Sequence, residues 1–129
     1  MTTTTLPTST IQPNEFTPKV CELLYTTAHN AGMAAVAAIV PRPMLIAGYA
    51  PILDGVCGFA WVNIRPANSR FAKWLVLNQY ARKDSYAGGV RLSVHQFNQS
   101  MQRKEAYAYA FAEKLREYGV DCFADSRMD

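Results

Sequence analysis

The stretch from Val90 to His95 constrains the fold more than any other part of the chain. Val90, Leu92 and Val94 alternate there with Arg91, Ser93 and His95, which is the period of a strand with one apolar and one polar side. Such a strand is stable only beside other strands and beneath a covering layer, so a sheet with one face packed is expected. Gly88-Gly89 opens it as a turn signal. After it, Met101 to Tyr118 carries Tyr107, Ala108, Phe111, Leu115 and Tyr118 on one helical stripe. Gly119 supplies a left-handed stop, Val120 can pack back on Leu115, and Val120 to Ser126 reads as a closing strand.

Upstream, Asp54-Gly55 marks a turn and Val56 to Ile64 a strand. Val56, Gly58, Ala60, Val62 and Ile64 point one way in it, and Cys57, Phe59, Trp61 and Asn63 the other. Asn68 or Ser69 can cap a short helix with Phe71, Trp74, Leu75 and Asn78 on its stripe and Lys73 outside. Thr17-Pro18 has the form of a helix start, followed at helical spacing by Val20, Leu23, Leu24 and Thr27, and an end is expected near Asn30 to Gly32. Met33 to Val40 suits either helix or buried strand, and Met44 to Tyr49 a strand. Residues 1 to 15, rich in Thr and carrying Pro7 and Pro13, lack apolar periodicity and are expected to form a mobile arm. The expectation is an arm over 1–15 and a single α+β domain over 16–129. Its one small sheet has about four to five strands with helices packed on it. The element order is helix, one or two strands, then strand, helix, strand, helix, strand.

Charge is unevenly spread. Between Arg65 and Lys104 stand eight basic residues and one acid, Asp84, whereas residues 1–64 hold two basic and three acidic groups and residues 105–129 three and six. A basic middle favours an anionic partner, the alternative being an ordinary solvated surface. Three widely spaced cysteines, Cys21, Cys57 and Cys122, and an N-terminus without the layout of a signal peptide point to a reduced, cytoplasmic setting. No unbroken apolar run approaches the roughly 20 residues that span a bilayer, so no membrane partner is expected.

Two groupings could carry function. Cys57 to Ile64 resembles the aromatic strand motif of RNA-recognition domains (basic, glycine, aromatic, small, aromatic, aliphatic, any, aromatic), with Cys57 and Ile64 departing from it. Phe59 and Trp61 are then platforms on which bases stack. The alternative is a core strand with both aromatics under another layer. In the second grouping, Gly88-Gly89 permits close backbone approach, Arg91 and His95 share an outer face, and Asn98-Gln99-Ser100 stands at a helix start where free amides favour an anion. It is not a Walker loop, and a hairpin glycine pair, a solvated face and a plain helix cap are the structural alternatives.

The expected ligand-binding set is Phe59, Trp61, Arg65, Arg91, His95, Asn98 and Ser100. Catalysis is not expected: His29 and His95 form no local metal motif, no paired carboxylates stand out, and no cofactor is implied. A thiol hydrolase built on Cys57 and His95 and a protein-interaction or homo-oligomerising module built on the Phe59 and Trp61 face are the competing readings.

From Gly55 to Asp129 the chain is also similar to a family of small proteins encoded by tailed bacteriophages. The resemblance is carried by Gly55 to Ile64, Tyr86 with Gly88-Gly89, Asn98-Gln99-Ser100, Lys104-Glu105-Ala106-Tyr107-Ala108 and Ser126-Arg127-Met128-Asp129. It attaches no activity. It implies a host cytoplasm and favours a small non-enzymatic factor acting on host or defence components.

Overall fold

The structure, a computed structural model, describes residues 6–7, 9–39, 58–97 and 100–128. Its centre is β1 (Gly58–Arg65), which pairs antiparallel with β3 (Val90–Ser93) on one side and β4 (Asp121–Met128) on the other. A two-residue strand, β2 (Arg82–Lys83), extends the sheet beyond β3, giving the order β2-β3-β1-β4. With α1 (Pro18–Ala37), α2 (Arg70–Leu77) and α3 (Met101–Glu117), this is the expected α+β architecture. Helix α3 lies on β1 and β4, and α1 lies against α3.

Alternation groups the residues of β1 and β3 that share a side. Ala60, Val62 and Ile64 of β1 join Val90, Leu92 and Val94 in the core, as the period-two pattern requires. Helix α3 supplies Tyr107, Ala108, Phe111 and Leu115 to the same core and adds Ala112. Gly119, at φ +87°, ends it, and the Val120 amide donates to the Leu115 carbonyl at 3.2 Å. Ser69 caps α2 by accepting from the Ala72 amide at 3.2 Å, and Phe71 and Leu75 turn inward.

Three features depart from the reading of the sequence. Helix α1 starts as expected, with Thr17 Oγ1 accepting from the Val20 amide and Pro18 first in the helix, but it runs on to Ala37 instead of stopping near Asn30 to Gly32. Gly32 lies inside it because α1 and α3 meet there. A Cβ at this position would stand 2.6 Å from the Tyr107 ring, so the glycine is a packing requirement and not a stop signal. The face of α1 that is buried accordingly follows Cys21, Leu24, Ala28 and Gly32, whereas Val20, Leu23 and Thr27 are only partly covered.

The arm expected over residues 1–15 is also anchored within its described part. Ile11 is buried in the core, its amide donates to the Tyr118 carbonyl at 2.9 Å, and Pro13–Glu15 form a 3-10 turn. Isolated docked side chains, Ile11 and the partly buried Leu6, leave no periodic trace. Strand β2 is the third departure, being too short to show alternation.

The expected strand Met44 to Tyr49, the turn Asp54-Gly55, and Val56 and Cys57 lie outside the described residues. No helix among the described residues is long and apolar enough to cross a membrane.

Candidate ligand-binding face

Residues paired across an antiparallel sheet point to the same side, so the strand register defines the face turned away from the helices. Along β1 this face carries Phe59, Trp61, Asn63 and Arg65. Arg127 stands beside Phe59, Ser93 and Asp125 beside Trp61, Arg91 and Phe123 beside Asn63, and Asp121 beside Arg65. Arg82 lies opposite Arg91 and continues the row onto β2. No described helix covers this side: Phe59 is 40% and Phe123 37% exposed, and Trp61 is half-buried. Phe59 and Trp61 thus lie on the side that no described helix covers, Phe59 partly exposed and Trp61 half-buried.

Cations lie over these rings. The Arg91 guanidinium carbon is 3.8 Å from the Trp61 ring centre, Arg65 is 5.1 Å from Phe123, and Arg127 is 5.7 Å from Phe59. A guanidinium is weakly hydrated and planar, so it rests on a ring face while its edge donors stay free for an anion. Lys104 reaches the Phe59 ring from α3, at 5.6 Å, and donates to the Gly58 carbonyl at 3.3 Å while almost wholly buried. Sequence reasoning left Lys104 unassigned. Its position three and four residues before Tyr107 and Ala108, on the buried stripe, was the available signal.

At the other end of β1 the face is closed by the segment between β2 and β3. Asn63 is fully buried although it points outward. Its Nδ2 donates to the Gly88 carbonyl at 2.9 Å, and its Oδ1 accepts from Arg65 Nε at 2.9 Å. Arg65 also donates through Nη2 to the Ala87 carbonyl at 2.9 Å. Asp84 shapes this turn by accepting from the Tyr86 and Ala87 amides, each at 3.0 Å. The Ala87 amide, followed by that of Tyr86 and by the Arg91 and Arg65 charges, holds the Asp84 carboxyl below its ordinary value. Gly89 does allow a close backbone approach, as its sequence suggests, but the group it meets is β1 itself: a Cβ there would be 2.4 Å from the Ile64 carbonyl oxygen. Tyr86 is left fully exposed at the tip of the turn.

The structure therefore brings Phe59, Trp61, Arg65 and Arg91 onto one face. His95 is exposed just beyond β3, where the Val94 amide still pairs with the Ala60 carbonyl at 3.0 Å and carries the chain toward the Phe59 end. Ser100 belongs to the helical layer: it is nearly buried, and its Oγ caps α3 by accepting from the Arg103 amide at 3.3 Å. Asn98 and Gln99 lie outside the described residues, as does Cys57, the sulfur of the hydrolase reading.

The other cysteines are poor nucleophiles. Burial pushes the Cys21 and Cys122 thiols up to about 11 each, the nearby Arg116 charge notwithstanding for Cys122. His29 hydrogen-bonds through Nδ1 to the Tyr107 hydroxyl inside an aromatic cluster in which Tyr25 stacks on Tyr80 at 4.1 Å. That group joins α1 and α3 to the segment after α2. Among the described residues no group of three or more His, Cys, Asp or Glu could hold a metal ion.

Fold and face together define a small α+β domain with helices on one side of an antiparallel sheet and a basic, aromatic surface on the other. No protein family, curated protein or solved structure matches this chain.

Proposed function

We propose that this chain is a non-catalytic binding protein that takes a phosphate-bearing ligand, a nucleotide or a nucleic acid, on the open face of its sheet. The observation that carries this reading is Arg91 lying 3.8 Å over Trp61 on a surface no described helix covers, with Arg65, Arg82 and Arg127 around it. A ring and a guanidinium plane accept a base by stacking, and the guanidinium edges accept phosphate oxygens. The unpaired, buried thiols of Cys21 and Cys122 fit a reducing cytoplasm. A phage-type accessory factor directed at host or defence components is the biological role this reading proposes.

Titration of labelled nucleotides and oligonucleotides by fluorescence anisotropy tests it. Arg91→Glu is expected to leave the fold intact and to weaken binding by about 1 to 3 kcal/mol, with the parent's affinity falling as salt rises. Binding by the variant equal to the parent's at low and high salt removes the proposal. The exposure of Phe59 and Phe123 favours one competing reading, a homo-oligomeric interface on the same face. Native mass discriminates: Trp61→Ala dissociates an oligomer if the face is an interface and leaves the mass unchanged if it is a ligand platform.

A further inference from the structure

We infer that the ligand is a single strand of nucleic acid whose bases lie over Trp61 and Phe59 and whose phosphates run along the β2 and β3 side of the sheet, over Arg91 and Arg82. This rests on the binding reading above and names its ligand class.

Spacing argues for an unstacked polymer. Trp61 and Phe59 are two residues apart on one strand, about 6.8 Å along it, whereas stacked bases in a duplex rise about 3.4 Å per step. Neighbouring bases can occupy both rings only when splayed apart, which a single strand allows and a duplex does not. A mononucleotide would use one ring and leave the other ring with its own cation, Phe59 with Arg127, unused.

Charge argues for the side on which the phosphates run. Arg82 and Arg91 are direct cross-strand partners on the open face, and like charges so placed repel unless an anion lies between them. Between these groups is a cleft of about 200 Å³ lined by Arg82, Lys83, Asp84, Ser85, Arg91 and Ser93. Asp84, which lines the same cleft and is held by two amides of its own turn, offsets this charge only in part, being one acid against Arg82, Lys83 and Arg91. The opposite side of the face is acidic: Asp125 stands beside Trp61 and Asp121 beside Arg65 on β4. A polyanion is repelled from β4 and drawn toward β2 and β3, with Arg127 as the exception at the Phe59 end.

The test is fluorescence anisotropy with labelled oligothymidylate and oligouridylate tetranucleotides, competed with dTMP, UMP and a duplex of equal length. The tetranucleotides are expected to bind at least about tenfold tighter than either mononucleotide and tighter than the duplex. Preference for one of the two strands assigns DNA or RNA, and equal binding supports a strand read without its sugar. Arg82→Glu is expected to weaken the tetranucleotide about tenfold and to flatten its salt dependence, with an unchanged melting temperature as the folding control. Asp125→Asn, which keeps the oxygen that accepts from the Ser126 amide, is expected to tighten it several-fold. Mononucleotide or duplex binding as tight as the strand overturns this inference while the binding reading stands, and so does an Arg82→Glu variant that binds the tetranucleotide as tightly as the parent, which would take the phosphates off β2. Failure of every nucleotide and oligonucleotide to bind removes the binding reading itself.

Discussion

The two sides of β1 are built from alternating residues of one eight-residue strand, yet they do different work. Toward the helices stand Ala60, Val62 and Ile64, small or branched aliphatics sealed from water by α3 and the neighbouring strands. Away from them stand Phe59, Trp61, Asn63 and Arg65, larger and more polar, of which Asn63 alone is fully buried. The aliphatic side has only packing to offer and gains most by being covered. The aromatic side holds rings whose faces attract cations, and Arg91, Arg65 and Arg127 lie over Trp61, Phe123 and Phe59 where no described helix covers them. Stability therefore belongs mainly to one side of the strand and availability to the other, with Asn63 as the outward residue that has been drawn into the structure.

Substitutions along β1 test this division. The heaviest loss is expected on the helical side: Ile64→Ala should cost about 2 to 5 kcal/mol in urea denaturation, because it opens a cavity among residues that cannot all collapse into it. Asn63→Ala comes next, at about 1 to 3 kcal/mol, since it strips the Gly88 carbonyl and Arg65 Nε of a buried partner and loosens the turn from β1. A loss as small as that of an exposed residue would mean the turn closes the face without Asn63. Trp61→Ala should cost the fold on the order of 1 kcal/mol, the scale of an exposed cation–aromatic pair, while removing about 1 to 3 kcal/mol of ligand binding. Equal destabilisation by Trp61→Ala and Ile64→Ala would show that both sides are core.

The mildest effect near neutrality concerns pH. Burial raises the Cys21 and Cys122 thiols from their ordinary value of 9.0 to about 11. Between these values the unfolded chain releases protons that the folded chain keeps, so stability is fully present below about pH 9 and falls as pH rises toward 11. Burial also raises the hydroxyls of Tyr25 and Tyr107, which adds to the alkaline loss. Denaturation midpoints measured at neutral pH and through this window check it, and Cys122→Ser should flatten the decline.

How much of this was legible in the chain depended on the range of the forces involved. Thr17, Ser69 and Gly119 act through hydrogen bonds or backbone geometry within a few residues, so the starts of α1 and α2 and the end of α3 were readable. The alternation in Val90 to Val94 and the stripe from Tyr107 to Leu115 likewise declare their buried sides locally. The open face was half legible: Phe59 and Trp61 were evident as a pair, but the arginines over them come from β3 and β4, which only the register brings alongside. Lys104 was missed because the stripe marks its side of α3 but not the Gly58 carbonyl of β1, distant in the chain, that receives its ammonium in the interior. The anion site suggested at Asn98 to Ser100 keeps, in its described part, the more local role of a helix cap.

The sequence by itself determined the succession β1, α2, β3, α3, β4, the caps of α1 and α2 and the alternating sides of the strands, because each is settled by neighbours no more than about four residues away. Only the tertiary structure decided that Gly32 continues a helix, that Ile11 is docked, that Asn63 is buried and that Phe59 and Trp61 face outward. Each of these turns on a partner distant in the chain: Tyr107 for Gly32, Tyr118 for Ile11, Gly88 for Asn63, and for the two aromatics the choice of side on which α3 packs. Both sides of β1 are apolar enough to be covered, so its alternation defines two faces but cannot say which one the helices will take.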